Sequence, residues 1–327
     1  REHKPNVAKP KIVAPVSAHP AFVKSAHYLD MQIDFTPLRD DWRADPDAIE
    51  AAIDDDTAIV VGSAICYPYG VVDPIEEIAA LADARGILMH VDACLGGFML
   101  PFVSKLGYEV PIWDFRAKGV TSISADVHKY GYAAKGASTV SYRDAALRKH
   151  QFYAYPDWPG GLYVTPTMAG ARPGGAVAAA WAVMHHLGEE GYVELAKAAM
   201  DATNRIKAGI ESIAGLRIMG EPHMSVFAFD SDEVNVFALG EKMDERGWHL
   251  DRNQFPSALH MMVTPAHADV TDQLLADLEA AMNEARESPA SSAEGMAALY
   301  GAAAAMPDRG AVSDFAIGFM DQLYTIS

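Results

Sequence analysis

The chain is poor in cysteine, in positive charge and in long apolar runs, and each shortage removes a class of function. Cys66 and Cys94 are its only cysteines in 327 residues. A disulfide scaffold is therefore excluded, and a reducing, cytoplasmic setting is expected. Lysine and arginine number 26 against 44 aspartates and glutamates, a net charge of −18. That field repels a polyphosphate backbone, so nucleic acid is not an expected partner, although local basic residues can still hold a small anion. No run of about 18 apolar residues occurs, nor a basic-then-apolar leader, so no stable membrane insertion is expected from the residues present. A Gly-x-Gly-x-x-Gly fingerprint, a Walker-type loop and a Gly-x-Ser-x-Gly elbow are all missing. His260 and His267 lack acids or cysteines at ligand spacing, so no metal is expected.

What remains is globular: 50% hydrophobic, 21% charged and 9% aromatic, in a length that suits about two domains. Short apolar runs at 11–16, 58–63, 87–91, 122–125 and 138–142 read as buried strands. Between the second and third, 73–84 reads as a helix with Asp73 at the N-cap, Pro74 at its first position and Glu76 and Glu77 in the first turn. Strand, helix, strand at these lengths makes an α/β domain with a mainly parallel sheet. The segment 152–175, rich in glycine, proline and aromatics, reads as a functional or interfacial loop. A helix at 175–187 is apolar nearly all round and is expected to be buried. The expected domains are a large one over 1–188, a smaller α+β one over 189–287, and a Ser/Ala-rich linker over 288–327 ending in a helix, 311–324, that packs on the body.

Three strand ends carry the chemistry. Asp92 closes the apolar strand at 87–91 and precedes Cys94 and the Gly96-Gly97 pair, where open α/β sheets bind ligands; a helix cap or loop anchor is the equal alternative. Lys129 follows the strand at 122–125 beside His128. In a partly dry site its pKa would fall and it could form a Schiff base, whereas a lysine in a turn is usually just solvated. His19 follows the first strand, on the same edge if the strands are parallel, with a backbone-bonded core histidine as the alternative. An acid, an imidazole and a lysine are the groups a pyridine cofactor needs at its ring nitrogen, its face and its aldehyde.

These residues lie in motifs. The run SISADVHKYGYAAKG at 122–136 closely resembles the sphingosine-1-phosphate lyases of the group II pyridoxal-phosphate decarboxylase superfamily. So do VAPVSAH at 13–19, GVVDPIEE at 70–77, HVDACLGGF at 90–98 and YVTPTMAGARPGG at 163–175, in the family's order. The resemblance implies the type I pyridoxal-phosphate transferase fold and a homodimer with sites at the interface. Lys129 would bind pyridoxal 5'-phosphate covalently, Asp92 would pair with the ring nitrogen, and His19 would stack on one face with Cys94 near the other. His128 would touch the cofactor phosphate, supported by Asp126. Lys135 would anchor a substrate phosphate, with Tyr132 and His19 nearby. The 163–175 loop, through Gly170 and Ala171, would reach the partner's site.

The implied reaction is retro-aldol cleavage of a phosphorylated long-chain base to a fatty aldehyde and phosphoethanolamine. An amino-acid decarboxylase of the same superfamily is the first rival; Lys135 argues against it. A non-catalytic fragment or degenerate homologue is the second. Two departures bear on these rivals. An upstream Gly-Gly-Thr phosphate cradle is not in the chain, so an incomplete chain is expected. Gly170-Ala171-Arg172 also stands where relatives commonly read Gly-Ser-Arg, which removes a hydroxyl contact.

Overall fold

Six strands in the order β2-β1-β3-β4-β5-β6 form the larger sheet of the computed structural model, which describes residues 4–287 and 306–325. They are β1 (Lys11–Pro15), β2 (Gln32–Thr36), β3 (Thr57–Ser63), β4 (Leu88–Asp92), β5 (Ser122–Ala125) and β6 (Thr139–Tyr142). β1 to β5 pair in parallel and β6 runs antiparallel to β5. Helices α1 (Ala21–Leu29), α2 (Pro46–Ala52) and α3 (Ile75–Arg85) make the crossovers, and α4 (Leu100–Lys105) follows β4. Val13, Val60, Val61, Met89 and Val91 are fully buried, as strands covered on both faces require. β2 lies on the edge and is largely exposed; its alternation QIDFT is too polar to read as a buried strand.

The chain divides into two compact units. The first holds the large sheet and ends its main span at Thr203, taking back Met219–Phe227 and Met262–Ala268. The boundary therefore falls inside a helix and not at residue 189. Helix α6 (Gly174–Ser212) breaks at Gly188, where φ is 56°, and its next stretch supplies Ala196, Ala199 and Met200 to the first unit's core.

In the second unit, α7 (Val236–Glu245) is N-capped by Asn235, whose side-chain oxygen accepts from the Phe237 and Ala238 amides. α8 (Thr271–Glu287) buries Leu274, Leu278, Ala281, Met282 and Ala285 at helical spacing. Strands β9 (Leu216–Ile218), β10 (Val226–Ser231), β11 (Asp251–Gln254) and β12 (Ser257–Met262) form a sheet in the order β11-β12-β10-β9.

Several expectations change. α3 starts at Ile75, and Asp73 does not cap it. The Asp73 carboxylate instead accepts from the Ala44 amide at 2.8 Å and the Ser63 amide at 2.7 Å, tying the end of β3 to the segment before α2. The helical stretch 174–187 is only partly covered: Ala180 and Met184 pack with Val127 and Ala133, whereas Val177 and Trp181, the latter 61% exposed, stay open. The segment 152–175 contains a hairpin of β7 (Tyr153–Tyr155) and β8 (Tyr163–Thr165). The linker expected from 288 lies, up to 305, outside the described residues. The final helix, α9 (Arg309–Tyr324), forms where expected but buries none of its residues: Phe315, Phe319 and Leu323, which recur with Val312 at helical spacing, stay exposed, and Arg309 lies over the Phe255 ring. Among the described residues no helix is long and apolar enough to cross a membrane.

Candidate functional site

The parallel strands deliver their carboxyl ends to one edge, where His19, Asp92 and Lys129 line a single cavity of about 310 Å³ with Ala21, Phe22, His90, Cys94, Ser124 and Asp126. That volume lies at the lower end of the roughly 300–1,000 Å³ typical of small-molecule and cofactor pockets.

Asp92 is the last residue of β4 and is 8% exposed. Register places it beside Ser124 of β5. Its Oδ1 accepts from the Cys94 amide at 3.1 Å and from Ser124 Oγ at 3.1 Å. The following turn, Gly96–Phe98, lies directly on the sheet: a Cβ at Gly97 would stand 2.5 Å from that of Ala125. Glycine is needed here for close approach.

His19 sits before α1. Its Nδ1 accepts from the Ala21 amide at 3.1 Å, which satisfies a free donor at the helix start and leaves the ring proton on Nε2.

Lys129 Nζ lies 3.0 Å from Asp126 Oδ2, and Ser138 Oγ donates a short bond to Asp126 Oδ1. Burial pulls the lysine pKa down, but Cys94 and Asp126 outweigh it and the net direction is upward. The lowered pKa expected of a partly dry lysine is thus opposed by two neighbours, Cys94 first and then Asp126. The Cys94 thiol is itself pushed up to about 12, by burial and then by Asp92, so it is neutral at neutral pH and Asp126 is the lasting partner of the cation. His128 donates from Nδ1 to the Ala137 carbonyl at 2.9 Å, with Nε2 3.8 Å from Asp126. It adjoins the cavity lining without belonging to it.

With His128, five expected residues stand outside the cavity, the others being Tyr132, Lys135, Gly170 and Ala171. Tyr132 takes a left-handed backbone (φ 57°) that turns the chain away from Lys129, and its buried hydroxyl has no hydrogen-bond partner among the described residues. Lys135 follows that turn and is exposed, as are Gly170 and Ala171 beyond the β7–β8 hairpin. Sequence reasoning missed Phe22, His90, Ser124 and Ser138. The signal for two of them was available: counting back two from Asp92 on a strand gives a same-face residue, His90, and the SIS run on the neighbouring strand offers a serine for each.

The donor set fits pyridoxal phosphate: a carboxylate held by two donors, an imidazole fixed by a backbone amide and an amine meet around one cavity. The pyridoxal-dependent decarboxylase conserved domain matches residues 1–231. The sphingosine-1-phosphate lyase of Arabidopsis thaliana is 46% identical over 323 residues, covering 99% of this chain and 59% of that protein. The sphingosine-1-phosphate lyase 1 of Rattus norvegicus is 44% identical over 323 residues, covering 98% and 57%. The solved structure of a Burkholderia pseudomallei sphingosine-1-phosphate lyase superimposes with a TM-score of 0.88 at 38% identity, covering 98% of this chain and 69% of that one. The chain thus spans less than two thirds of the length of these two curated relatives.

Proposed function

Because this chain belongs to the pyridoxal-dependent decarboxylase family, we propose that its cavity serves a carbon–carbon lyase acting on a phosphorylated long-chain base. The observation that carries this reading is the meeting of Lys129, Asp92 and His19 on one cavity, in a chain most of whose length matches proteins named for that lyase activity. In the net reaction the bond between the second and third carbons breaks. The 3-hydroxyl loses its proton as its oxygen becomes the aldehyde oxygen, and the second carbon gains a proton, giving a fatty aldehyde and phosphoethanolamine.

When bound, pyridoxal phosphate supplies an electron sink for the pair left on the second carbon. Lys129 is the amine that would hold it, Asp92 would keep its ring nitrogen protonated, His19 would lie against the ring and His128 would meet the phosphate. Lys129 is the only lysine among the described residues that line the cavity, and we assign it proton delivery to the second carbon. Phe22 also lines the cavity and adds apolar surface to it. Lys135, exposed and cationic, is assigned to the substrate's phosphate. A homodimer is part of the proposal: the β7–β8 hairpin exposes Tyr153, Tyr155 and Tyr163, and the loop through Gly170 and Ala171 would serve the partner's site.

The test is aldehyde release from sphinganine 1-phosphate with added pyridoxal phosphate. Lys129→Ala is expected to reduce turnover below detection, and wild-type turnover in that variant would overturn the reading. Lys135→Ala should impair phosphorylated bases far more than unphosphorylated ones; equal losses would remove it from phosphate recognition. Carbon dioxide released from amino acids, with no aldehyde, would favour a decarboxylase.

A further inference from the structure

Behind Asp92 runs a chain of polar groups that the proposed reaction does not use. Register pairs His90 with Ser122 and Asp92 with Ser124 across β4 and β5, so all four side chains share one face. His90 bridges both serines: Nδ1 lies 2.9 Å from Ser122 Oγ and Nε2 3.1 Å from Ser124 Oγ. Ser124 in turn lies 3.1 Å from Asp92 Oδ1.

Proton counting fixes the direction. An ionised carboxylate only accepts, so the single hydroxyl proton of Ser124 goes to Asp92. Ser124 Oγ must then accept from His90 Nε2–H, and in a neutral ring Nδ1 accepts from Ser122. We propose that His90 is a positioning residue: protonated at Nε2 and neutral, it holds Ser124 so that Ser124 fixes Asp92 Oδ1 and aims the carboxylate at the ring nitrogen of pyridoxal phosphate. This rests on the cofactor assignment made above.

The surroundings support a neutral ring. Phe22 meets His90 edge-on at 5.9 Å. Burial drives the imidazole pKa down, against the pull of Asp92. The charged and titratable groups around it are Asp92, Cys94, Asp126, Lys129 and His19 on the first cavity, and Lys4 and Asp30 on a second, largely apolar cavity of about 540 Å³ that His90 also borders. Charge is therefore mixed on both sides, and a histidine that only filled space would need neither serine.

Two measurements test this on the full chain. The first is long-range proton–nitrogen NMR of histidine-labelled protein between pH 5.5 and 8, with the His90 signals assigned by their loss in His90→Gln. A neutral, Nε2-protonated ring that does not titrate in this range is expected, and Ser124→Ala should shift its signals. A ring that titrates near its ordinary value, or carries its proton on Nδ1, overturns the proposal.

The second is pyridoxal phosphate affinity at pH 7.5, read from the cofactor's absorbance. His90→Phe and Ser124→Ala should weaken it about tenfold, as loss of one hydrogen bond in a dry site implies, while His90→Gln, which keeps an N–H donor, should recover most of it. Wild-type affinity in His90→Phe and Ser124→Ala overturns the positioning role. Failure of the wild type itself to bind, with the expected ring state seen by NMR, overturns the cofactor assignment and the role with it, but leaves the relay standing.

Discussion

Two carboxylates stand in contrasting settings, Asp73 buried and held by backbone amides and Asp126 set against the Lys129 cation. Asp73 is fully buried, and burial raises its pKa from 3.8 to about 6 in spite of its two amide donors and nearby Arg43. Its folded value lies above its unfolded one, so the native state binds the proton more tightly. The associated stability is complete at low pH and is lost as pH climbs through about 6. Between pH 5 and 7.5 this amounts to about 1 kcal/mol. Asp73→Asn abolishes the titration and turns an amide N–H toward a backbone donor, at a cost of about 1–3 kcal/mol. Urea unfolding should find the variant's deficit larger at pH 5 than at pH 7.5, and equal deficits would show that Asp73 does not titrate there. Lys129 shows the opposite arrangement. Asp126 favours its cation, so Asp126→Asn should lower its pKa, leave more free amine at pH 7.5 and speed its reductive alkylation by a small aldehyde several-fold. Mass spectrometry of the Lys129 peptide reads this directly, and an unchanged rate would mean that Asp126 does not control the amine.

The turn after β4 is the element on which the cavity depends, because it joins Asp92 to Cys94 and then lies flat on β5. In Gly97→Ala the new methyl would meet Ala125 at 2.5 Å, and the turn must lift. A loss of about 1–3 kcal/mol is expected, seen as a lower melting temperature together with weaker pyridoxal phosphate binding; a wild-type melt would show that the turn has room. Elements of this kind differ in how far the sequence reveals them. β1, β3 and β4 were legible because central parallel strands are buried on both faces and read as continuous apolar runs; β5 and the exposed edge strand β6 were found as well, although neither is such a run. With them came the meeting of His19, Asp92 and Lys129, since parallel strands end on one edge. β2 and the β7–β8 hairpin were not legible, because an exposed edge strand and an exposed hairpin carry no such signal. Asp73 was misassigned for a different reason: Asp-Pro-x-Glu is a sound local helix start, but its carboxylate is engaged by amides from two other segments, and partners distant in sequence leave no local pattern. Asp126's share in the upward shift of Lys129 was readable three residues away, whereas the larger share of Cys94, on another strand end, was not.

At the scale of the whole molecule the unresolved account is apolar surface. The stretch 175–187 reads as a buried helix, yet Trp181 stands 61% exposed, and the preceding hairpin and loop leave Leu162 at 71% and Met168 at 89%. Single exposed apolar residues are ordinary, whereas several large ones concentrated in adjoining segments mark a surface that associates. The proposed homodimer would cover this surface and would bring Gly170 and Ala171, which lie outside their own chain's cavity, toward the partner's. Trp181 is the residue to change, because its exposure means that its loss leaves the first unit's core intact; its ring meets that of His185, on the same helix, at 4.2 Å. Trp181→Glu places a charge where an apolar contact is expected, and losing one such buried aromatic at an interface costs about 2 kcal/mol or more. Sedimentation velocity at micromolar concentration should show wild-type dimer and variant monomer, with unchanged far-ultraviolet circular dichroism. If the loop completes the partner's site, the monomeric variant should also bind pyridoxal phosphate more weakly although every lining residue of its own cavity is retained. A wild-type chain that sediments as a monomer would end the dimer reading, and a monomeric variant with full cofactor affinity would confine each site to its own chain.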